Sequence, residues 1–377
     1  MPARIGPRML ERMPPRAVGP YEVLSVIGRG GVGTVYRARH RESGAVVAVK
    51  LLGPPPVCEP TATRRLAREF EALQGLHHPN VVRVFEAGVF EGYSFLAMEL
   101  VEGLDLRSYL SPAIDASPYA GLTGEEATPA GGAAPWFDEP DTQSLLTPMV
   151  DRAAAPPSAG PEAIRAFAAL MDEPETESSF APASGAEGEE PGAAPSEARP
   201  LAREVLAGLN GPARQIRLLD ALRQVCAGLA YVHGQGLVHR DLKPSNIMVD
   251  DARRVRLMDF GLVKLASDAA HLTLHGRVVG TYRYMAPEQA RGDAIDHRAD
   301  LYSLGVILFE LLCGRPPFVS RRPAELWHEI ISRPPLAPAT LNPEVPGSLA
   351  AVALRLLAKD PRERFQSADE VAAALRG

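Results

Sequence analysis

The chain has 377 residues, a formal net charge of −6 and 46% hydrophobic residues, which is enough for one or two buried cores. Its apolar runs are too short to cross a membrane, and no apolar segment follows the arginines of residues 1–20, so we expect no membrane span and no secretory signal, only a basic flexible tail. The three cysteines lie far apart, which excludes a disulfide framework or a zinc-binding spacing and fits a reducing cytoplasm.

Residues 21–101 are rich in predicted strands. Two β-rich runs flank a Glu-Ser-Gly turn at 42–44, and one helical pattern of leucine and phenylalanine covers residues 63–76. The predicted strands cover residues 21–27, 34–39, 45–50, 81–85 and 94–98.

Residues 111–213 differ from the rest of the chain in composition. They hold 17 acidic and 4 basic residues, a net charge of −13, whereas the remaining 274 residues carry a net charge of +7. This Ala/Pro/Glu-rich segment cannot bury enough apolar surface to offset the entropy of ordering, so we predict a disordered insertion. Within it, residues 161–171 place Ile164, Phe167 and Met171 on one helix face, a candidate docking helix for a partner or for the chain's own basic surface.

The chain becomes helical after this segment. Apolar residues recur there at helical spacing, in contrast to the strands of the first part. The predicted helices cover residues 214–234, 299–313, 324–332, 348–358 and 367–376.

Two polar motifs follow the first of these helices. The run HRDLKPSN at 239–246 precedes Asp259-Phe260-Gly261. Together they supply a candidate base, a cation suited to phosphate and two oxygen ligands suited to Mg²⁺. Such groups serve phosphoryl transfer from ATP, whose catalysis is mostly positioning and charge stabilisation.

A glycine-rich run precedes them near the N-terminus. Residues 28–35, GRGGVGTV, fit the pattern G-x-G-x-x-G-x-V, in which glycines let backbone N–H groups approach phosphates closely. A dinucleotide-binding turn would need a helix next, whereas a β-rich run follows here.

These motifs resemble those of bacterial eukaryote-like (Hanks-type) serine/threonine protein kinases. The resemblance covers about residues 21–110 and 214–377 and includes VAVK at 47–50 and GTYRYMAPE at 280–288. It implies an α+β, two-lobe protein kinase fold. The β-rich N-lobe and hinge would occupy residues 21–101, and the helical C-lobe would occupy residues 102–377, interrupted by the insertion 111–213.

The resemblance also implies an ATP pocket. Lys50 would bind the α- and β-phosphates and pair with Glu69, because the rival Glu71 points off that helix face. Met98 would be the gatekeeper, and the backbone of Glu99 and Val101 would bind adenine. The other pocket residues would be Ile27, Gly28, Gly30, Gly33, Val35, Ala48 and Met248.

Catalytic and metal-binding roles follow from the same family. Asp241 would act as the base for the substrate hydroxyl, and Lys243, typical of the serine/threonine branch, would lie at the γ-phosphate. Asn246 and Asp259 would bind Mg²⁺, with Mn²⁺ as an alternative. Thr281 would bond Asp241 and Lys243.

Three further interactions are implied as structural. Glu288 would pair with Arg364, and Asp300 would hold the backbone of the catalytic loop. His239 and Phe260 would be packing residues.

Arg240 implies regulation, because kinases with an arginine before the catalytic aspartate are commonly activated by a phosphate in the activation segment. The candidates are Ser267, Thr273 and Thr281, of which we choose autophosphorylation at Thr273.

The expected activity is that of a non-specific serine/threonine protein kinase acting on proteins, with no nucleic-acid partner. Because the sequence stops near the last expected helix, we expect a soluble cytoplasmic enzyme. The rivals are an ATP-binding pseudokinase, a small-molecule kinase and a scaffold acting through the acidic insertion. The intact motifs argue against the first, and GTYRYMAPE, which would build a peptide platform, argues against the second.

Overall fold

The computed structural model describes residues 14–30, 33–52, 73–91, 93–111, 203–260, 281–320 and 322–376. Several predicted features lie outside these residues. They are Glu69 with its rival Glu71, residues 31 and 32 of the glycine-rich run, most of the predicted insertion with its candidate helix 161–171, Ser267 and Thr273.

An antiparallel six-stranded sheet forms the first lobe, in the order β1-β2-β3-β4-β6-β5. Successive side chains of a strand point to opposite faces, so Val47, Val49 and Leu51 of β4 join one apolar cluster while Ala48 and Leu52 join another. The strands are β1 Ala17–Val18, β2 Tyr21–Gly30, β3 Gly33–His40, β4 Val46–Leu52, β5 Val84–Phe90 and β6 Tyr93–Met98.

The strand predicted at 81–85 is wrong in its position. The strand of the sheet begins only at Val84, whereas Val81 forms a parallel bridge with Leu257 and the amide of Val82 donates to the Leu257 carbonyl at 2.9 Å. Residues 81 and 82 therefore attach the first lobe to the second, and their β-branched side chains serve that junction.

Helices dominate the second lobe, which also holds a three-stranded sheet in the order β7-β8-β9. Each helix predicted from residue 214 onward is present within a few residues of its expected ends, whereas most of the helix predicted at 63–76 lies outside the described residues. The strands are β7 Leu104–Asp105, β8 Ile247–Val249 and β9 Val255–Leu257. The helices are α1 Leu106–Tyr109, α2 Arg203–Asn210, α3 Pro212–Gly234, α4 Pro287–Arg291, α5 Arg298–Cys313, α6 Pro323–Ser332, α7 Pro338–Leu341, α8 Gly347–Leu356 and α9 Ala368–Ala374.

Helix α5 is the centre of this lobe. Every residue from Ala299 to Cys313 is buried, as expected for a helix that is apolar on all sides. A Cβ at Gly305 would lie 2.6 Å from the Cβ of Leu356, so glycine is what lets α8 pack this closely on α5. No helix among the described residues is long and apolar enough to cross a membrane.

The predicted insertion 111–213 differs from the structure at its C-terminal end, because residues 203–210 form α2 and α3 begins at Pro212. Asn210 of α2 exchanges two side-chain amide hydrogen bonds of 2.9 Å with the fully buried Asn342. Composition averaged over the whole segment hid this helix. The predicted lobe boundary at residue 101 stays a prediction.

Arg214 joins the ends of three helices. This nearly fully buried side chain donates to the carbonyls of Leu110, Leu209 and Leu311 at 2.7 to 2.8 Å. These carbonyls lie at the C-terminal ends of α1, α2 and α5, where helices carry unsatisfied acceptors and partial negative charge. One guanidinium therefore holds the chain on both sides of residues 112–202 to the central helix.

We predict that Arg214→Met lowers the free energy of unfolding by about 3 kcal/mol, because several buried charge-assisted hydrogen bonds are lost together. Chemical denaturation of the full chain measures this. Arg322→Met, which removes an exposed Arg322–Glu325 pair, is the matched control and should change stability by less than about 0.5 kcal/mol. Equal losses of stability in the two variants would contradict the role of Arg214 in joining the three helix ends.

Candidate active site

One face of the first sheet carries four of the predicted pocket residues. Val35 lies directly opposite Lys50, and Ala48 lies directly opposite Met98. Because Ala48 and Lys50 are two residues apart on β4, all four side chains point to the same face. Ala48 and Met98 are buried in one apolar cluster, with Val35 and Val101 packed against it.

The remaining pocket residues surround this face. Ile27, Gly28 and Gly30 end β2, and Gly33 begins β3, with Gly30 opposite Gly33 across the turn. Met248 lies on β8 of the other lobe.

The segment after Met98 leads out of the sheet. The amide of Glu99 donates to the Arg83 carbonyl at 2.8 Å. A ligand in the pocket can therefore engage the backbone of Glu99 only through its carbonyl. Val101 follows two residues later, with its side chain half-buried.

An ion pair links the VAVK run at 47–50 to Asp259. Nζ of Lys50 lies 2.8 Å from Oδ2 of Asp259, and both side chains are largely buried. Asp259 has φ 54, a left-handed conformation that is costly outside glycine. Lys50 thus reaches from the first lobe to the aspartate that follows β9 in the second.

The run HRDLKPSN at 239–246 forms a compact polar loop. The side-chain Nδ2 of Asn246 donates to the Asp241 carbonyl at 2.8 Å and to Oδ2 of Asp241 at 3.2 Å, and Nζ of Lys243 lies 3.5 Å from the same carboxylate oxygen. The amide of Met258 donates to the Asn246 carbonyl at 2.9 Å, which brings Asn246 next to Asp259. The structure therefore brings together Asp241, Lys243, Asn246 and Asp259.

Asp300 anchors the backbone before this loop. Its carboxylate is fully buried and accepts from the amides of His239 at 2.7 Å and Arg240 at 2.8 Å, as well as contacting Nε2 of His233 at 2.9 Å. The role expected for Asp300 agrees with these contacts.

His239 and Phe260 pack as expected, with ring centroids 4.7 Å apart. Burial lowers the pKa of His239, so the ring is neutral at neutral pH. Because Nε2 lies 2.9 Å from the Met258 carbonyl, which only accepts, that nitrogen carries the proton.

Glu288 and Arg364 form a bidentate pair with distances of 2.7 and 2.8 Å, and both are buried. The expected structural tie is thus present. Thr281 begins a 3₁₀ turn, Thr281–Tyr284, that leads to this pair.

A buried network behind the 3₁₀ turn was missed by sequence reasoning. Glu310 of α5 accepts from Arg107 at 2.7 Å and from the Tyr284 hydroxyl at 2.6 Å, and Arg107 also donates to that hydroxyl at 2.8 Å. It connects α1 to the segment before Glu288. Only a long-range contact reveals it, since Arg107 and Glu310 lie 203 positions apart.

We predict that Arg107→Met lowers the free energy of unfolding by about 2 kcal/mol, because it leaves the Glu310 carboxylate buried without this counter-ion. Adding Glu310→Gln should restore most of that loss, since a neutral amide costs less to bury. A double-mutant cycle by urea denaturation measures the coupling. Additive effects of the two substitutions would refute the pairing.

Comparison with known proteins agrees with this geometry. A family model described as protein tyrosine and serine/threonine kinase matches residues 21–372. The chain belongs to this kinase family. Among curated relatives, it is 28% identical over 365 residues to a probable serine/threonine-protein kinase of Streptomyces coelicolor, covering 95% of this chain and 40% of that protein.

A second kinase, serine/threonine-protein kinase PknB of Mycobacterium tuberculosis, is 28% identical over 360 residues, with coverage of 94% and 42%. The chain therefore spans about two fifths of the length of these relatives. The kinase domain of Mycobacterium tuberculosis PknI matches in fold with a TM-score of 0.55 at 22% identity, covering 96% of each chain. The expected resemblance to bacterial kinases and the two-lobe kinase fold are confirmed.

Proposed function

We propose that the chain is a serine/threonine protein kinase that transfers the γ-phosphate of ATP to hydroxyl groups of protein substrates in the cytoplasm. The observation that carries this proposal is the 2.8 Å pair between Lys50 and Asp259, which joins the candidate phosphate-binding lysine to the candidate metal ligand. The same proposal includes the division into lobes at residues 21–101 and 102–377, with the acidic segment 111–213 as an insertion within the second lobe.

Adenine would lie against the face formed by Val35, Ala48 and Met98, with Met248 below it. This apolar surface excludes water and is suited to a flat heterocycle. Backbone N–H groups of the glycine-rich run at 28–33 would contact the phosphates, and Lys50 would neutralise the α- and β-phosphates.

The donor atoms fit Mg²⁺, a hard cation that prefers oxygen and keeps several water and phosphate ligands. The nitrogen end of the Asn246 amide is bound to Asp241, so its oxygen end would be the one to hold a cation. Oδ2 of Asp259 pairs with Lys50, and the other carboxylate oxygen would hold the metal. When bound, the metal would neutralise charge on the transferring phosphate.

Asp241 would orient the hydroxyl of the substrate and accept its proton. Asn246 and Lys243 hold its carboxylate, which fixes the direction of the remaining lone pairs. As charge moves during transfer, Lys243 would shift its attraction from Asp241 to the γ-phosphate, and the metal ligands Asn246 and Asp259 would keep the phosphates in line. Glu69 would orient Lys50, and Thr281 would bond Asp241 and Lys243.

We predict that Asp241→Asn lowers kcat for ³²P transfer from ATP to a generic protein substrate by at least about 10²-fold, the smaller end of what a positioned base contributes. Affinity for a non-hydrolysable ATP analogue with Mg²⁺ should stay within about twofold of that of the unaltered chain, because Asp241 would act on the substrate hydroxyl and not on the nucleotide. Equal labelling by the variant and the unaltered chain would reject the proposed kinase activity and favour a scaffold function.

We further predict that Thr273 is phosphorylated by the chain itself, because a phosphate there would supply about −1.5 to −2 charge for Arg240. Mass spectrometry of the protein incubated with ATP should find this phosphate in the unaltered chain and not in Asp241→Asn. Thr273→Ala should lower activity, whereas Ser267→Ala is the matched control. A fully active enzyme without phosphate at Thr273 would overturn the assignment.

A further inference from the structure

We propose that Gln289 is a positioning residue for Asp241, because its side-chain amide holds the peptide carbonyl that immediately precedes the catalytic aspartate. The inference rests on the proposed kinase function and extends it to a residue outside the catalytic motifs.

Gln289 is the third residue of α4, and both ends of its amide are used. Its Oε1 accepts from the backbone amide of Ala286 at 2.9 Å, and its Nε2 donates to the Arg240 carbonyl at 3.1 Å. The two partners fix the orientation of the amide, since a backbone N–H only donates and a carbonyl only accepts. Ala286 at the N-cap has no side-chain oxygen, so Gln289 also supplies a cap to its own helix.

The carbonyl that Gln289 binds belongs to a strained residue. Arg240 has φ 65, a left-handed conformation that non-glycine residues adopt only when their surroundings impose it. The amides of His239 and Arg240 are held by Asp300, but that carboxylate restrains only the N-terminal side of Arg240. Gln289 restrains the peptide group on its other side.

That peptide group ends at the nitrogen of Asp241, so its rotation would turn the Asp241 side chain. The carbonyl of Asp241 is in turn held by Asn246 at 2.8 Å. Three anchors therefore follow one another along the backbone: Asp300, Gln289 and Asn246. Without the middle anchor, Asp241 would keep its hydrogen bonds but sample a wider range of directions, and a small misplacement of a catalytic group is costly.

The support for Gln289 is rigid. Its neighbour Glu288 is buried in the bidentate pair with Arg364, which fixes α4 to the second lobe. Gln289 thus transmits the position of α4 to the catalytic loop, although it lies 49 residues away along the chain.

Two opposite substitutions separate this role from helix capping. Gln289→Glu keeps an acceptor for the Ala286 amide but loses the donor to Arg240, whereas Gln289→Lys keeps a donor and loses the acceptor. We expect Gln289→Glu to lower kcat about tenfold, the scale of one lost hydrogen bond. The kcat of Gln289→Lys should stay within about threefold of that of the unaltered chain. The KM for ATP should be unchanged in both variants, because the hydrogen bonds of Gln289 go to Ala286 and Arg240 and not to the residues of the adenine face.

Gln366→Met is the control, because the Gln366 amide also donates to a carbonyl, that of Arg364 at 2.8 Å, away from the catalytic loop. Rates are expressed per nucleotide-binding site, counted by titration with a non-hydrolysable ATP analogue, so that unfolded molecules do not contribute. A kcat for Gln289→Glu equal to that of the unaltered chain, or a Gln289→Lys variant as slow as Gln289→Glu, would overturn the inference.

Hydrogen–deuterium exchange gives a readout that does not depend on activity. Backbone amides of residues 239–243 should exchange faster in Gln289→Glu than in Gln289→Lys or in Gln366→Met. If the unaltered chain binds nucleotide but transfers no phosphate, the proposed function fails, while this exchange pattern still decides the role of Gln289. Unchanged exchange in Gln289→Glu would refute it.

Discussion

The candidate active site depends on one buried carboxylate, that of Asp300 in the first turn of α5. A carboxylate without water is stable only when its oxygens are bound, and here two backbone amides and the ring of His233 bind them. Its place in the first turn adds the favourable field of the helix N-terminus. Among the described helices of this lobe α5 is the most buried, so the backbone of His239 and Arg240 is fixed to an element in the centre of the core.

Constraints spread from this anchor to both lobes. Toward the first lobe, the Asn246 carbonyl holds the amide of Met258, and Asp259 then reaches Lys50 on the sheet. Toward the segment that begins at Thr281, Gln289 and the Glu288–Arg364 pair hold α4 against the loop at 239–246. Lys50, Lys243 and Arg364 each lie beside a carboxylate, and backbone amides hold Asp300. These polar groups are therefore held in place by partners within the chain, which is the condition for electrostatic catalysis.

The sequence predicted the parts of this site that sit in short motifs, because local spacing determines them. Lys50, Asp241, Asn246 and Asp259 lie in such motifs, and the family resemblance supplied the partners of Asp300 and Glu288. Composition and periodicity predicted the longer helices from residue 214 onward and most strands of the first sheet, but they missed α2 and the short strands of the second lobe. They also misplaced one strand: residues 81 and 82 are as β-prone as a strand of the sheet, yet they pair with Leu257.

What the sequence could not predict are contacts between residues far apart that form no motif. Gln289, Arg107 and Arg214 are common surface-type residues, and nothing beside them in the chain indicates that they are held by partners from other elements. A glutamine three residues after the N-cap suggests half of a capping box, but the alanine at the N-cap itself weakens that signal. Their roles follow only from which backbone carbonyls the fold brings within hydrogen-bond distance.

Arg214 explains how the second lobe accommodates a long acidic stretch between α1 and α2. The carbonyls of Leu110 and Leu209, on either side of that stretch, are bound to the same guanidinium. The distance between the two ends is therefore set by the core, whatever the length of chain between them. Because the entropy of closing a loop grows only logarithmically with its length, ends held in this way make additional residues inexpensive, at about 0.6 kcal/mol for each doubling.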